Sequence, residues 1–253
     1  MSFRNKKLPM LNGVGFYKKI HSLNKALQEI GLDDRSRWVF NHGIPTSMMF
    51  LCKRIDLEIL ELTKIYKEMV KENPGRQILE LSNRESGPKN ENERRGYELY
   101  RWLQLDLFLF FSSLRSILDE LCSFVLKPHL KVDNRELKDS FDDLFSGLER
   151  SRKDIHIKHQ DFFDNIEQDH SNFRAEIRAP RDKVIHFSAQ IELKHENNRW
   201  YYTIVSEGDI LKRPQGRIWE EFDKLNYILN LAATIFEKSV NYILENFTSH
   251  NSL

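Results

Sequence analysis

Three long segments of the sequence repeat apolar side chains every three or four residues, which is the spacing that gathers them on one face of an α-helix. The segments span about 47–73, 94–126 and 217–247. Such faces have to be buried against one another, so the pattern predicts a bundle of long helices. The three apolar stripes consist of Met48, Cys52, Ile55, Ile59, Leu62, Tyr66 and Met69, of Tyr100, Leu103, Leu107, Phe110, Leu114, Ile117, Leu121 and Phe124, and of Ile218, Phe222, Leu225, Leu229, Ala232, Phe236, Val240, Ile243 and Phe247.

The remaining segments predict shorter elements. Residues 16–30 and 135–148 have the pattern of short helices, and the polar stretch 74–93 is typical of a linker. Two β-rich runs, at about 188–194 and 200–205, predict a small β-hairpin.

The predicted fold class is therefore all-α, with a β-hairpin insert at about 188–206. Residues 1–93 form an N-terminal helical extension with its polar linker, and residues 94–253 form the helical bundle that contains the hairpin. Only 10 glycines and 7 prolines interrupt the chain, which suits long helices better than a β-sandwich.

Composition excludes several classes of protein. The 39 basic and 38 acidic residues leave a net charge of +1, so the overall charge does not point to nucleic acid. Cys52 and Cys122 are the only cysteines, which excludes a disulfide framework and favours a reducing compartment. The most apolar stretch, 105–111, contains Asp106 and is far shorter than the roughly 20 residues of a membrane helix. We expect a cytoplasmic protein without a membrane partner.

Common catalytic and metal-binding motifs are missing from the sequence, including Gly-rich phosphate loops, nucleophile-elbow serines and paired-histidine zinc motifs. His156 and His159 form a His-x-x-His pair without matching carboxylates, and we interpret them as part of a solvated charged helix. The acidic stretch 133–143 lacks the central glycine and terminal glutamate of a calcium loop, and we interpret it as a solvated helix face. We expect neither a metal nor a cofactor.

One segment carries a regular set of cations. Arg174, Arg178 and Arg181 are spaced i, i+4 and i+7, which lines them along one helical face, and Lys183 extends the set. A fixed cationic strip suits the phosphate backbone of RNA. We therefore interpret Arg174, Arg178 and Lys183 as RNA- or phosphate-binding residues.

Arg181 and His186 form an Arg-x4-His pair within this segment. Arginine is a permanent cation that neutralises phosphate charge, and histidine exchanges a proton near neutral pH, so the two supply what RNA self-cleavage needs without a metal. The same spacing occurs from Arg37 to His42, as composition alone makes unsurprising, and there a structural role in a loop is a sufficient interpretation.

The run Arg181-Asp182-Lys183-Val184-Ile185-His186 resembles the motif of the HEPN superfamily, in which an arginine and a polar residue precede a histidine. Residues 105–121 resemble the long first bundle helix of some bacterial members, and the resemblance covers about residues 94–247. It implies an all-α bundle that is usually dimeric, with the motifs of both chains at the shared interface. It also implies that Arg181 and His186 are catalytic, with Asp182 as the polar second residue.

Two functions follow from the resemblance. Many HEPN proteins are metal-independent endoribonucleases of toxin–antitoxin or phage-defence systems, while others bind nucleotides, RNA or a protein partner without catalysis. On a regular helix, positions 181 and 186 are about 140° apart, so one motif copy makes a poor catalytic pair and a homodimer would bring two together. A third interpretation, in which Arg181 and His186 form a structural pair, also remains open.

Pro180 predicts a kink or a restart of the helix just before the motif.

Overall fold

The computed structural model describes residues 10–30, 43–72, 90–131, 140–145, 153–186, 190–205 and 218–250. These residues are mainly helical and include one small antiparallel sheet, which confirms the predicted all-α class with a β-hairpin. The helices are α1 (Gly13–Glu29), α2 (Ile44–Glu72), α3 (Glu91–Leu121), α4 (Lys153–Lys158), α5 (Gln160–Phe173), α6 (Ala179–His186) and α7 (Asp223–His250), and the strands are β1 (Gln190–Glu196), β2 (Arg199–Val205) and β3 (Glu220–Glu221).

Shorter helical segments lie between the long helices. A π-helical turn, Cys122–Leu126, follows α3 and leads into a last turn at Lys127–His129, and a second π turn, Arg174–Arg178, joins α5 to α6. Residues 141–145 are helical, within the helix predicted at 135–148. Most of the predicted linker at 74–93 lies outside the described residues.

Both π turns are followed by a proline. In each turn the next backbone N–H donates to the carbonyl five residues earlier, and the residue after it is Pro128 or Pro180. Proline has no N–H and its ring crowds the carbonyl four residues before it, so a wider turn upstream accommodates the ring. The helix therefore does not restart at Pro180 but continues to His186, whereas after Pro128 it ends one residue later, at His129.

The predicted apolar stripes form the core, with three exceptions, and the side chain of Phe247 lies outside the described part of the structure. The stripe residues of α2 and α3 are buried except for half-buried Tyr66 and for Phe124, which is exposed while Val125 and Leu126 are buried. Phe124 lies in the first π turn, where the extra residue shifts the helical phase by about a quarter of a turn relative to the α-helical pattern. Ile218 precedes α7 and is exposed, so the third stripe begins at Phe222 instead.

The hairpin is tighter than predicted. Its strands extend to Glu196 and Arg199, so the connecting loop is the pair Asn197-Asn198. Both asparagines have positive φ, 50° and 60°, which is the backbone of a two-residue hairpin turn and a conformation that asparagine tolerates.

A third strand was not predicted. Residues Glu220–Glu221 pair with Tyr202 and Tyr201 of β2, where the sequence pattern indicated the start of the last helix. Two residues are too short to show the alternation of a strand, so periodicity alone gives no signal for them. The helix α7 accordingly begins at Asp223.

The chain divides into two compact units. The first unit comprises Met1–Asn12, Leu51–Phe110 and Pro180–Asn226, and the second comprises Gly13–Phe50, Phe111–Ala179 and Tyr227–Leu253. The predicted boundary between residues 93 and 94 stays a prediction. No described helix is both long enough and apolar enough to pass through a lipid bilayer.

In the first unit, α2 and α3 lie antiparallel. Arg54 on α2 pairs with Asp106 on α3, and further along, Glu61 on α2 pairs with Arg95 on α3. The hairpin packs onto α2, where the indole Nε1 of Trp200 donates to Oγ1 of Thr63 at 2.8 Å.

In the second unit, α7 is held by ion pairs from two helices. Lys19 of α1 contacts Glu237 at 2.6 Å, and Nζ of Lys238 lies 2.7 Å from the carboxylate of Asp169 on α5. The ring of His159, just before α5, forms a hydrogen bond of 2.7 Å with the hydroxyl of Tyr242. The contacts of Asp169 and His159 hold α5 against α7, and α5 leads into the π turn that contains Arg174 and Arg178.

Candidate functional site

The arginine segment begins on a helix whose opposite face is buried. Phe162, Ile166, Phe173 and Ile177 follow one another at helical spacing and are buried in the second unit. Because these apolar residues hold one face of α5 and the π turn, most of the polar residues between them remain at the surface. Arg174 and Arg178 belong to that polar set.

Both arginines contact the same carboxylate. The Nε atom of Arg174 lies 3.0 Å from Oδ1 of Asp142, and Nη1 of Arg178 donates to Oδ2 of Asp142. The side chain of Asp142 is 3 % exposed, whereas those of Arg174 and Arg178 are 56 % and 31 % exposed. A buried carboxylate therefore fixes two guanidinium groups that still reach the surface.

His170 completes this cluster. Its Nε2 lies 3.2 Å from Oδ1 of Asp142, and its ring stacks on Phe145 at 4.4 Å between centroids. Burial, together with the nearby charge of Arg174, lowers the pKa of His170 to about 4. The negative charge of Asp142 is already shared with two arginines, so it does not hold the imidazole protonated. The cluster of Asp142, Arg174 and Arg178 with a neutral His170 thus has a net charge of +1.

The backbone around Asp142 is itself held in place. The amide of Phe141 donates to Oδ1 of Asp119 at 2.9 Å, and the amide of Asp143 donates to Oγ of Ser140 at 3.0 Å. These two hydrogen bonds satisfy N–H groups at the start of the helical stretch 141–145. The interpretation of 133–143 as a solvated face is therefore wrong for Asp142, which is buried.

In the first unit, Arg181 and Asp182 form an ion pair. Nη1 of Arg181 lies 2.9 Å from Oδ1 of Asp182, and the two side chains are 26 % and 27 % exposed. Asp182 is the fourth residue of α6, which continues the π turn without a break. Lys183 is exposed.

His186 is the last residue of α6. Positions 181 and 186 thus share one α-helix and are separated by about 140° around its axis, as the sequence pattern predicts. The side chain of His186 lies outside the described part of the structure, and so do Arg37 and His42, which share the Arg-x4-His spacing.

His156 and His159, the His-x-x-His pair of the sequence, take part in local packing. His156 stacks on Phe163 at 4.4 Å, and burial, with the charges of Lys158 and His129, lowers the pKa of His159. Among the described residues, histidine, cysteine, aspartate and glutamate side chains form no group of three suited to a metal ion.

Sequence reasoning identified the two arginines but missed Asp142 and His170. The hydrogen bond between Asp142 and Arg178 joins residues 36 positions apart, and no periodic pattern within one helix reports such a pair. Comparison with known proteins adds nothing to these residues: no family model, no curated protein and no solved structure matched the chain.

Proposed function

We propose that this chain is a metal-independent endoribonuclease of the HEPN type that acts as a homodimer. The observation that carries the proposal is the ion pair of Arg181 and Asp182 at the start of α6, the helix that ends at His186. The partner carboxylate fixes one edge of the guanidinium, and about a quarter of the Arg181 side chain is exposed to receive a phosphate. The helical bundle and the resemblance of 181–186 to the HEPN motif support the same function.

The proposed reaction uses only the RNA and these side chains. One His186 accepts the proton of a ribose 2′-hydroxyl, and the 2′-oxygen attacks the adjacent phosphorus. The bond from phosphorus to the 5′-oxygen breaks, and His186 of the second copy donates a proton to that oxygen. Arg181 neutralises the charge that develops on the phosphate oxygens. The products are a 2′,3′-cyclic phosphate and a 5′-hydroxyl.

Arg174, Arg178 and Lys183 have a binding role in this proposal. Asp142 sets Arg174 and Arg178 side by side, and more than half of the Arg174 side chain is exposed. Paired guanidinium groups of this kind fix the register of a phosphate backbone without reading its sequence.

The same cluster favours a second candidate function, that of a non-catalytic module that binds RNA, a nucleotide or a protein partner such as an antitoxin. The two arginines held by the buried Asp142 form a fixed cationic pair. Such a pair can bind an anionic group without a catalytic residue nearby.

The test is cleavage by the purified full-length chain. Labelled single-stranded and structured RNAs are incubated with the protein in EDTA, and the 3′ ends of the products are analysed for a cyclic phosphate. Cleavage with cyclic ends is the expected result. Binding without cleavage of any RNA would leave the module as the function, and the absence of both would overturn both proposals.

A further inference from the structure

Four large apolar side chains are exposed on the outer side of α2 and α3 in the first unit. Leu57 and Trp102 are both 56 % exposed, and Leu60 and Leu105 are 45 % and 44 % exposed. We call these four residues the leucine–tryptophan face. Single exposed apolar residues are ordinary, whereas a contiguous apolar surface indicates an interaction site.

The ion pair between the two helices sets the level of these side chains relative to one another. Arg54 pairs with Asp106 across the interface of α2 and α3. Leu57 follows Arg54 by three residues and Trp102 precedes Asp106 by four, so in antiparallel helices they lie at the same level, one turn further along. Leu60 and Leu105 each lie three residues from one of these two on the same exposed side.

The rim of the leucine–tryptophan face is basic. Lys53 and Lys64 flank it on α2, and Arg101 flanks it on α3, all three exposed. Among the described residues, no carboxylate forms an ion pair with any of these three cations. By contrast, Arg95 is paired with Glu61, and Glu98 lies 3.8 Å from Arg94. Positive charge is therefore left over around an apolar centre.

We propose that the leucine–tryptophan face binds an amphipathic helix of a partner protein, with leucine-like residues on its inner side and acidic residues along its edges. Apolar anchors lying along the exposed sides of α2 and α3 would bury the four side chains, and the acidic edges would meet Lys53, Lys64 and Arg101. Three of the four residues that the partner helix would cover, Leu57, Leu60 and Leu105, are aliphatic.

Two other occupants fit these features less well. Single-stranded RNA stacks on aromatic rings such as Trp102, but it gains little from three leucines. A second copy of this chain would bring two basic rims together, which is repulsive.

The experiment uses two synthetic helical peptides of about 20 residues with the same leucine stripe, one with glutamates and one with lysines along both edges. Binding of each to the full-length chain is measured by calorimetry. We expect the glutamate peptide to bind at least about tenfold more tightly than the lysine peptide. Replacing Leu57 and Trp102 together by Ser should weaken its binding at least about tenfold.

Two further variants make the test specific. Ile157→Ser is the matched control, because Ile157 is 68 % exposed and lies on α4 of the other unit, and it should leave binding unchanged. Lys53→Glu with Lys64→Glu should reverse the preference between the two peptides. Equal binding of the peptides, or binding that survives loss of Leu57 and Trp102, would overturn the proposal. It would also fail if those two substitutions abolished RNA binding or self-association while the peptides bound nowhere.

Discussion

Nε of Arg174 lies 3.0 Å from Oδ1 of Asp142, a carboxylate that is almost fully buried. The pair joins a surface cation to the interior of the second unit, and Arg178 occupies the other carboxylate oxygen. Such an arrangement serves either as an internal ion pair or as a preorganised phosphate-binding site. The salt dependence of RNA binding separates these two roles.

Replacing Arg174 and Arg178 together by Ala should weaken RNA binding. If both arginines bind phosphate, the slope of log K against log salt concentration should fall in magnitude by about 0.7 for each phosphate of a single-stranded RNA that is no longer neutralised. The control is Arg94→Ala with Arg199→Ala, two exposed arginines that pair with glutamates. An unchanged slope in the Arg174/Arg178 variant would assign both residues to Asp142 alone.

We predict a homodimer whose shared surface includes the segment from Arg174 to His186, which ends in α6. Because positions 181 and 186 are about 140° apart on that helix, one chain presents them on different sides, and two copies are needed for a complete site. Light scattering coupled to size exclusion at micromolar concentration should give twice the chain mass of 30.2 kDa. A strict monomer that still cleaves RNA would refute the composite site.

The fold was predictable because the apolar stripes are local signals. The burial of residues such as Leu103 and Ile243 follows from spacing within a single helix. The burial predicted for Phe124 is wrong because a π turn adds a residue to the helix at that point. The nearby Pro128 is the one feature of the sequence that indicates such a turn. Asp142 escaped because its burial depends on residues distant in the chain.

Glu58 should make the stability of the chain dependent on pH. Burial and the neighbouring charge of Asp106 raise the pKa of Glu58 to about 8, and Arg54 opposes that shift. Because the folded chain raises the pKa of Glu58, it binds this proton more tightly than the unfolded chain does. The resulting stabilisation is fully present below pH 4.5, the pKa in the unfolded chain, and it is lost as the pH rises through 8. A pKa difference of one between the folded and unfolded states corresponds to about 1.4 kcal/mol, so the loss amounts to roughly a few kcal/mol.

Glu58→Gln should therefore flatten the pH dependence of stability. Glutamine is neutral throughout, so unfolding by urea at about pH 5 and about pH 9 should give more similar free energies than in the parent chain. Glu98→Gln, at an exposed position of α3, is the control and should keep the parental pH dependence. An equally steep loss in the Glu58→Gln variant would contradict the prediction.

Tyr100→Phe should loosen the edge of the hairpin. The hydroxyl of Tyr100 accepts a hydrogen bond of 3.3 Å from the backbone N–H of Leu193, which points away from β2, and Tyr100 is buried. Removing the hydroxyl leaves that N–H without its acceptor, at a cost of about 1–3 kcal/mol. Urea denaturation measures the loss, and amide exchange at Leu193 should accelerate. The exposed Tyr227→Phe should change neither quantity.

His186→Ala decides whether the chain is an enzyme. A general acid or base contributes about 10²- to 10⁴-fold to rate, so loss of the imidazole should abolish visible cleavage in a gel assay. Arg181→Ala should do the same, whereas Arg181→Lys should recover part of the activity, because lysine keeps the charge but lacks the planar fork of the guanidinium. Each variant should retain the parental circular dichroism and dimer mass.

The control is Arg37→Ala with His42→Ala, which repeats the spacing elsewhere and should leave cleavage nearly unchanged. Unfolding of His186→Ala would instead make His186 a structural residue, and normal cleavage by it would remove the motif from catalysis.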